Sequence, residues 1–292
     1  MTARCACCAT PARSSAVPAP ETSLDHVLGG RVALAQPAAG YRAAIDPVLL
    51  AAAVDAAPGE RAIDLGCGVG TAALCLMARV PELRVVGIDR DPAVVALAAD
   101  NARRNRRDGF TAQTLDLLGV RAPVAALGPV EHVLTNPPFH AASASDPSRD
   151  PAKARATVAG FPLADWLERA AALLAPRGDL TMIYRADRLD GLLAALPKAL
   201  GGVTLVPLWP RAGAPAKRVI VTAVKGSRAP CTVTAGLVLH RPDGGYTAAA
   251  EALLRDGAGM GELVAGLWKA RRRAQAPGAL RKANRRAPAR AD

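Results

Sequence analysis

Residues 61–70, which read Arg61-Ala-Ile-Asp-Leu-Gly-Cys-Gly-Val-Gly70, decide the fold class of this 292-residue chain. The first five form a short apolar run typical of a buried strand, and a helical pattern at 71–80 follows the glycines. A glycine-rich turn at such a junction lets the backbone bend sharply and lets a ligand approach without a Cβ clash. The segment therefore predicts a strand, a ligand-binding turn and a helix in succession.

Strand and helix patterns alternate along the rest of the chain. The predicted strands lie at 61–65, 84–88, 111–115, 130–135, 179–184, 203–208 and 218–224, and the predicted helices at 45–57, 71–80, 92–106, 162–174 and 189–200. Strands that alternate with helices of this length indicate an α/β fold with a mostly parallel sheet and crossover connections. A Rossmann-like, doubly wound architecture is therefore expected.

The spacing of the glycines separates two classes of nucleotide ligand. A dinucleotide site uses G-x-G-x-x-G to seat a pyrophosphate at a helix N-terminus. Here the pattern is G-x-G-x-G, at Gly66, Gly68 and Gly70, and Asp64 stands two residues before it. An acid at that position repels a pyrophosphate and suits a positively charged ligand. S-adenosylmethionine, which carries an ammonium and a sulfonium, meets that requirement.

Two further acids stand at the ends of predicted strands. Asp89 closes the second strand, where a carboxylate can accept hydrogen bonds from both ribose hydroxyls of a nucleoside cofactor. Asp116 follows the third strand, where it can accept the exocyclic amine of the cofactor's adenine, with Leu117 against the ring. Spacing alone fits a surface-turn role for Asp116 nearly as well. Asp91, which precedes a proline, is predicted to cap the next helix.

The segment Asn136-Pro-Pro-Phe139 follows the predicted fourth strand and indicates the chemistry. Two prolines end the strand and restrict the backbone. The Asn136 side-chain oxygen and the Pro137 carbonyl can accept the two hydrogens of a planar amine, and Phe139 can stack on its ring. Asn-Pro-Pro is also an ordinary turn signal. Its place after a G-x-G-x-G unit favours amine recognition.

These motifs resemble those of the class I S-adenosylmethionine-dependent N-methyltransferases, and most of all the bacterial tRNA(Val) adenine N6-methyltransferases. The likeness spans about residues 24–256 and includes Gly40–Leu50, a helix leading into the cofactor pocket, with Arg218–Gly226 and Gly245–Thr247. The resemblance implies a seven-stranded sheet whose last strand is antiparallel. It also implies that S-adenosylmethionine binds over the carboxyl ends of the first strands.

The resemblance implies roles for individual residues as well. The expected cofactor-binding residues are Asp46, Asp64, Gly66, Gly68, Gly70, Asp89, Asp116 and Leu117, and the expected catalytic residues, which receive the target base, are Asn136, Pro137 and Phe139. Asp46 is predicted in addition to cap the helix that Pro47 opens. No metal is required by this chemistry, and none is expected.

Charge is concentrated at the end of the chain. The net charge is +12, and residues 269–292 hold nine Lys and Arg against one acid. We expect a disordered leader at 1–22, a methyltransferase domain at 23–268 and a basic, disordered tail at 269–292. The tail and the polar loop at 140–160 are the expected contacts to RNA, tRNA above all, because their cations can pair with phosphates.

Other features narrow the class of protein. No apolar run reaches the ~20 residues of a membrane span, and prolines interrupt the N-terminal segment, which argues against a signal peptide. The six cysteines lack paired metal-binding spacing and only four histidines are present, so neither a disulfide framework nor a metal site is expected. The expectation is a cytoplasmic enzyme.

Three alternatives stay open. A ribosomal RNA guanine-N2 or adenine-N6 methyltransferase could share these motifs. A glutamine N5-methyltransferase of a translation release factor also uses Asn-Pro-Pro, although such enzymes usually carry an N-terminal helical domain and here about 40 residues precede the cofactor region. An RNA-binding protein that has lost catalysis is the non-enzymatic alternative, and the intact motif residues argue against it.

Overall fold

The computed structural model describes residues 22–38, 45–119, 126–137 and 163–268. The loop at 140–160 and the tail at 269–292 lie outside these residues, as does all of the predicted leader except Thr22. The described chain opens with a hairpin of β1 (Thr22–Val27) and β2 (Val32–Pro37). Sequence patterns did not predict this hairpin, which begins at Thr22, the last residue of the predicted leader.

Strands and helices alternate after the hairpin. The strands are β3 (Arg61–Leu65), β4 (Arg84–Asp89), β5 (Phe110–Thr114), β6 (Val130–Thr135), β7 (Leu174–Arg185), β8 (Leu200–Trp209), β9 (Arg218–Lys225), β10 (Thr232–Val233) and β11 (Leu237–Val238). The helices are α1 (Ile45–Ala53), α2 (Thr71–Arg79), α3 (Pro92–Arg104), α4 (Leu163–Leu173), α5 (Leu189–Ala195), α6 (Ala248–Glu251) and α7 (Met260–Leu263). A 3₁₀ turn at Ala186–Arg188 follows β7, and a π-helical turn at Ala252–Asp256 follows α6.

The main sheet has the predicted topology. Its strands run in the order β5-β4-β3-β6-β7-β9-β8, and β9 is antiparallel to both of its neighbours while the other pairs are parallel. The expectation of a seven-stranded sheet whose last strand is antiparallel is confirmed. The two-residue strands β10 and β11, which were not predicted, pair with β8 and extend the sheet at its edge.

Three element boundaries differ from the sequence prediction by four residues or more. α1 ends at Ala53 rather than at residue 57. α5 ends at Ala195 rather than at residue 200, because Pro197 follows and the residue before a proline disfavours helical conformation. β7 begins at Leu174, five residues earlier than predicted, and a register shift against β6 accommodates the extra residues.

The sheet separates two apolar cores. On one face α1, α2 and α3 pack together with the hairpin around buried residues that include Leu49 and Leu74. On the other face α4 and α5 cover a second core that includes Val133 and Leu167. Because successive residues of a strand point to opposite faces, the central strands carry apolar side chains on both faces. Helices on both faces confirm the doubly wound architecture.

Two asparagines, Asn101 in α3 and Asn105 at its C-terminal cap, attach the N-terminal hairpin to the domain. The buried Asn101 accepts from the Ala35 amide at 2.7 Å and donates to the Ala35 carbonyl and to the Val69 carbonyl, both at 3.0 Å. One turn later, Asn105 makes the same paired contacts with the backbone of Ala33. The two side-chain amides thus pair with the backbone N–H and C=O groups of β2, as a neighbouring strand would. Asn101 also joins the hairpin to the glycine-rich turn.

Asn101→Ala should lower the free energy of unfolding by about 2–4 kcal/mol, because it leaves buried backbone groups of β2 and of the glycine turn without partners. Asp100→Ala is the matched control, since Asp100 is exposed and pairs with the exposed Arg103 on the same helix. The control substitution should lower the free energy of unfolding by less than about 1 kcal/mol. Urea denaturation measures both, and equal losses would contradict the bridging role of Asn101.

Candidate active site

Neighbouring parallel strands bring the predicted site residues to one edge of the sheet. β3 pairs with β4 on one side and with β6 on the other, and β5 pairs with β4. Residues that follow these strands therefore stand side by side, about 4.8 Å apart from strand to strand. The order along the edge is Asp116, Asp89, the glycine turn and Asn136.

The glycine turn at 66–70 has a conformation that requires its glycines. The φ angles are 72° at Gly66, 53° at Gly68 and 85° at Gly70, a region that residues with a Cβ disfavour. The amides of Gly66 and Cys67 donate to the Ile88 carbonyl at 2.8 and 3.0 Å, which ties the turn to β4. The sequence prediction of a sharp turn between a strand and a helix is confirmed.

Asp64 is a buried acid beneath the turn, with 2% of its surface exposed. Its Oδ2 accepts a hydrogen bond from the Ala73 amide, in the first turn of α2, at 3.2 Å. Burial raises the pKa of Asp64 from 3.8 to about 7; the Ala73 N–H opposes this rise and the negative charge of Asp89 adds to it. A positively charged group near Asp64 would stabilise its carboxylate, so the site favours a cationic ligand.

Asp89 is half-buried and orders the glycine turn from the end of β4. Its Oδ2 accepts from the Gly68 amide at 3.0 Å, and its Oδ1 accepts from the Asp91 amide at 3.1 Å. A carboxylate oxygen can accept two hydrogen bonds, so both oxygens keep capacity for hydroxyls of a ligand. Asp91 caps α3 as predicted, because its side chain accepts from the Ala93 amide at 2.9 Å.

Asp116 and Leu117 form the far end of the site edge. The Asp116 side chain is exposed and its Oδ1 accepts from the Leu118 amide at 3.0 Å, which is the turn role that its spacing also allowed. Leu117 is buried in the core that α4 covers. The contact of these two residues with an adenine ring stays a prediction.

Asn136 lies directly after β6, beside the glycine turn. It is half-buried, and its Oδ1 atom is buried without a hydrogen-bond partner among the described residues. Buried polar atoms are nearly always paired, so this acceptor has the capacity to receive a hydrogen bond. Pro137 is buried next to it, whereas Phe139 lies outside the described residues.

Two residues that sequence analysis did not single out join the halves of the site. Thr135 Oγ1 donates to the Leu65 carbonyl at 2.8 Å and accepts from the Trp166 indole N–H at 3.2 Å. The Trp166 ring also packs under Gly66, where an added Cβ would lie 3.5 Å from it. These contacts fasten the ends of β3 and β6 to α4. Sequence spacing carries no signal for a pair 31 residues apart in the chain.

Asp46 differs from its predicted role as a cap. α1 begins at Ile45, so Asp46 is already inside the first helical turn rather than before it. Its Oδ2 accepts from Arg218 Nε at 2.9 Å, an ion pair that links α1 to the start of β9. The structure thus shows a bridging role for Asp46, and its contact with a cofactor stays a prediction.

Within segments 22–38, 45–119, 126–137 and 163–268, no three His, Cys, Asp or Glu side chains are grouped to hold a metal ion. In the same segments no helix combines the length and apolar character that crossing a membrane requires. Cys67, Cys75 and Cys231 carry free thiols. The described part of the chain therefore offers neither a metal centre nor a disulfide.

Comparison with known proteins identifies the family. The chain matches the methyltransferase small domain over residues 43–206. It is 34% identical over 164 residues to a tRNA1(Val) (adenine(37)-N6)-methyltransferase of Porphyromonas gingivalis, covering 54% of this chain and 64% of that protein. A protein of the same name from Actinobacillus succinogenes is 32% identical over 184 residues, covering 62% of this chain and 75% of that protein.

A solved structure shows the same architecture. The crystal structure of a predicted O-methyltransferase from Agrobacterium tumefaciens superposes with a TM-score of 0.60 at 26% identity, and the match covers 73% of this chain and 96% of that one. The fold is therefore that of the class I S-adenosylmethionine-dependent methyltransferases. The chain belongs to the methyltransferase small domain family. It spans 64% of the length of the Porphyromonas relative.

The raised pKa of Asp64 makes stability depend on pH. Asp64 ionises near 3.8 in the unfolded chain but only near 7 in the folded protein, so the folded state holds an extra proton between these values and loses stability as pH rises. Asp64→Asn removes this titration. Urea denaturation from pH 4 to 8 should show wild type losing up to about 4 kcal/mol relative to the variant. Parallel curves would contradict the assigned pKa.

Proposed function

We propose that this protein transfers a methyl group from S-adenosylmethionine to the exocyclic N6 amine of an adenine in tRNA, 3′ of the anticodon. The names of the Porphyromonas and Actinobacillus relatives support this substrate. The observation that carries the proposal is the unpaired Asn136 Oδ1 beside the glycine turn. A buried acceptor at this position has the chemistry needed to receive an amine hydrogen.

The described residues fit S-adenosylmethionine as the methyl donor. The buried Asp64, whose pKa is about 7 in the protein alone, gains an electrostatic partner when a positively charged ligand lies over the turn. Asp89 keeps acceptor capacity for ribose hydroxyls, and Asp116 stands next along the edge for the adenine amine. When bound, this cofactor supplies an activated methyl group.

Asn136 and Pro137 would activate the target amine. Adenine N6 is a weak nucleophile because its lone pair is delocalised into the ring. Asn136 Oδ1 and the Pro137 carbonyl would each accept one N–H, drawing the nitrogen toward a pyramidal geometry and stabilising the positive charge that develops on it. Phe139 would stack on the base once the nucleotide has left its neighbours. No general base is needed before the methyl group is transferred.

The rigid setting of Asn136 supports this mechanism. Thr135, the residue before it, is held by the Leu65 carbonyl and the Trp166 indole, and the residue after it is a proline. These contacts support an arrangement in which both proposed acceptors would be held in position before substrate binds. Little reorganisation is then required during the reaction, which is the condition under which electrostatic stabilisation is most effective.

Methyl transfer from labelled S-adenosylmethionine to unmodified tRNA, ribosomal RNA and protein fractions tests the proposal. Nuclease digestion and nucleoside chromatography should identify N6-methyladenosine in tRNA. Label in ribosomal RNA would replace the substrate by the ribosomal alternative, and label confined to protein would replace it by a glutamine amide. Absence of label from every fraction would favour a protein that binds RNA without catalysis.

Asn136→Ala should reduce turnover roughly 100-fold or more, because it removes an acceptor that stabilises charge in the transition state. Its affinity for S-adenosylmethionine, measured by calorimetry, should be unchanged. Asn136→Asp is the matched variant, since it keeps an acceptor at the same place, and it should retain more turnover than Asn136→Ala. A loss of cofactor affinity equal to the loss of turnover would instead make Asn136 a cofactor residue.

Asp89→Ala should weaken S-adenosylmethionine binding about 10- to 100-fold, the scale expected for hydrogen bonds to a charged group. Asp91→Ala is the matched control two residues away. It removes the cap of α3, so it should cost about 1 kcal/mol of stability and leave cofactor affinity unchanged. Calorimetric titration of both variants decides the role of Asp89, and an unaltered affinity in Asp89→Ala would refute it.

A further inference from the structure

The edge of the sheet that carries Asn136 continues across β7, β9 and β8. Because β9 is antiparallel to both neighbours, its first residue and the loop at 210–217 lie at the same edge as the ends of β6 and β7. The turn Ala186–Arg188 lies there as well. It is joined to the loop by a hydrogen bond of 3.2 Å from the Ala186 amide to the Lys217 carbonyl.

This stretch of the edge presents exposed cations. Asp187, which pairs with Arg185, also interacts with the charge of Arg188. Arg188, Arg211 and Lys217 are exposed, and none of them forms a salt bridge with another residue in the described part of the chain. We call these three residues the basic rim. The loop at 210–217 contains two cations and no acid. The nearby cations Arg185 and Arg218 differ, because Asp187 and Asp46 pair with them.

The dimensions of the basic rim match a short stretch of nucleic acid. With strands about 4.8 Å apart, the ends of β7, β9 and β8 lie about 5, 10 and 14 Å from the end of β6. A stacked strand places one phosphate every 3.4 Å or so along its axis. The rim therefore extends over roughly four nucleotides, counted outward from a base held at Asn136.

We propose that the basic rim binds the phosphates of the nucleotides that flank the target adenine on one side. This inference rests on the proposed function and specifies how that site holds its RNA. Contacts to phosphates position a nucleic acid without reading its sequence. The rim thus sets the register of the loop, while Asn136 and Pro137 select the amine of the base.

The opposite edge of the sheet provides a matched control. Arg84 begins β4, and Arg104 and Arg106 lie at the end of α3, so all three stand at the amino ends of the strands, away from Asn136. They are exposed like the rim residues. Replacing three arginines there removes the same net charge, which separates a local contact from a general effect of charge.

The experiment compares full-length wild type with two triple variants, Arg188→Ala/Arg211→Ala/Lys217→Ala and Arg84→Ala/Arg104→Ala/Arg106→Ala. Binding to an unmodified tRNA(Val) transcript is measured by fluorescence anisotropy between 50 and 200 mM salt. Each lost contact to a single strand lowers the slope of log affinity against log salt by about 0.7. The slope of the rim variant should therefore be smaller in magnitude than that of wild type by about 2. Between 50 and 200 mM salt, the tRNA affinity of wild type should fall roughly 20-fold more than that of the rim variant.

Methylation assays and calorimetry complete the experiment. The rim variant should show a higher KM for tRNA, with kcat and affinity for S-adenosylmethionine unchanged, and the control variant should match wild type. A rim variant that binds and methylates like wild type, or a control variant with the same loss, would overturn the inference while the proposed function stands. Wild type that methylates only protein, or binds no tRNA, would overturn both.

Discussion

The buried carboxylate of Asp64 is the constraint on which the site depends. It lies where β3, the glycine turn and α2 meet, and it accepts from the first turn of that helix. Burial makes the ionised form costly, which is why the pKa of Asp64 rises to about 7. A site that buries an acid in this way is stabilised by a cationic ligand, and the glycines provide the space for one.

The remaining site residues are placed by strand order rather than by local sequence. β4, β3 and β6 are neighbours in the sheet, although α3 and β5 lie between β4 and β6 in the chain. Their carboxyl ends set Asp89, the glycine turn and Asn136 in a row. In the proposed function, the glycine turn in this row is the side of the methyl donor and Asn136 is the side of the amine that accepts the methyl group. The antiparallel β9 then extends the same edge with exposed cations.

Supporting contacts hold this row rigid. Asn101 joins the N-terminal hairpin to the backbone of the glycine turn, and Thr135 with Trp166 joins β3 and β6 to α4. None of these residues belongs to a motif that predicts function. Asn101 and Thr135 satisfy buried backbone groups, and Trp166 donates to the Thr135 hydroxyl. A partly satisfied network at this depth would be costly. Their placement explains how a turn rich in glycine keeps a defined conformation.

The sequence by itself determined the α/β class, the glycine turn, the cap at Asp91 and the candidate residues Asp64, Asp89 and Asn136. These follow from local chemistry, because apolar periodicity, glycine spacing and proline act over a few residues. Only the tertiary structure decided that a hairpin precedes α1, that Asp46 pairs with Arg218, and that Thr135 meets Trp166. Those features depend on partners distant in the chain, and a hydrogen bond or ion pair leaves no periodic trace in sequence.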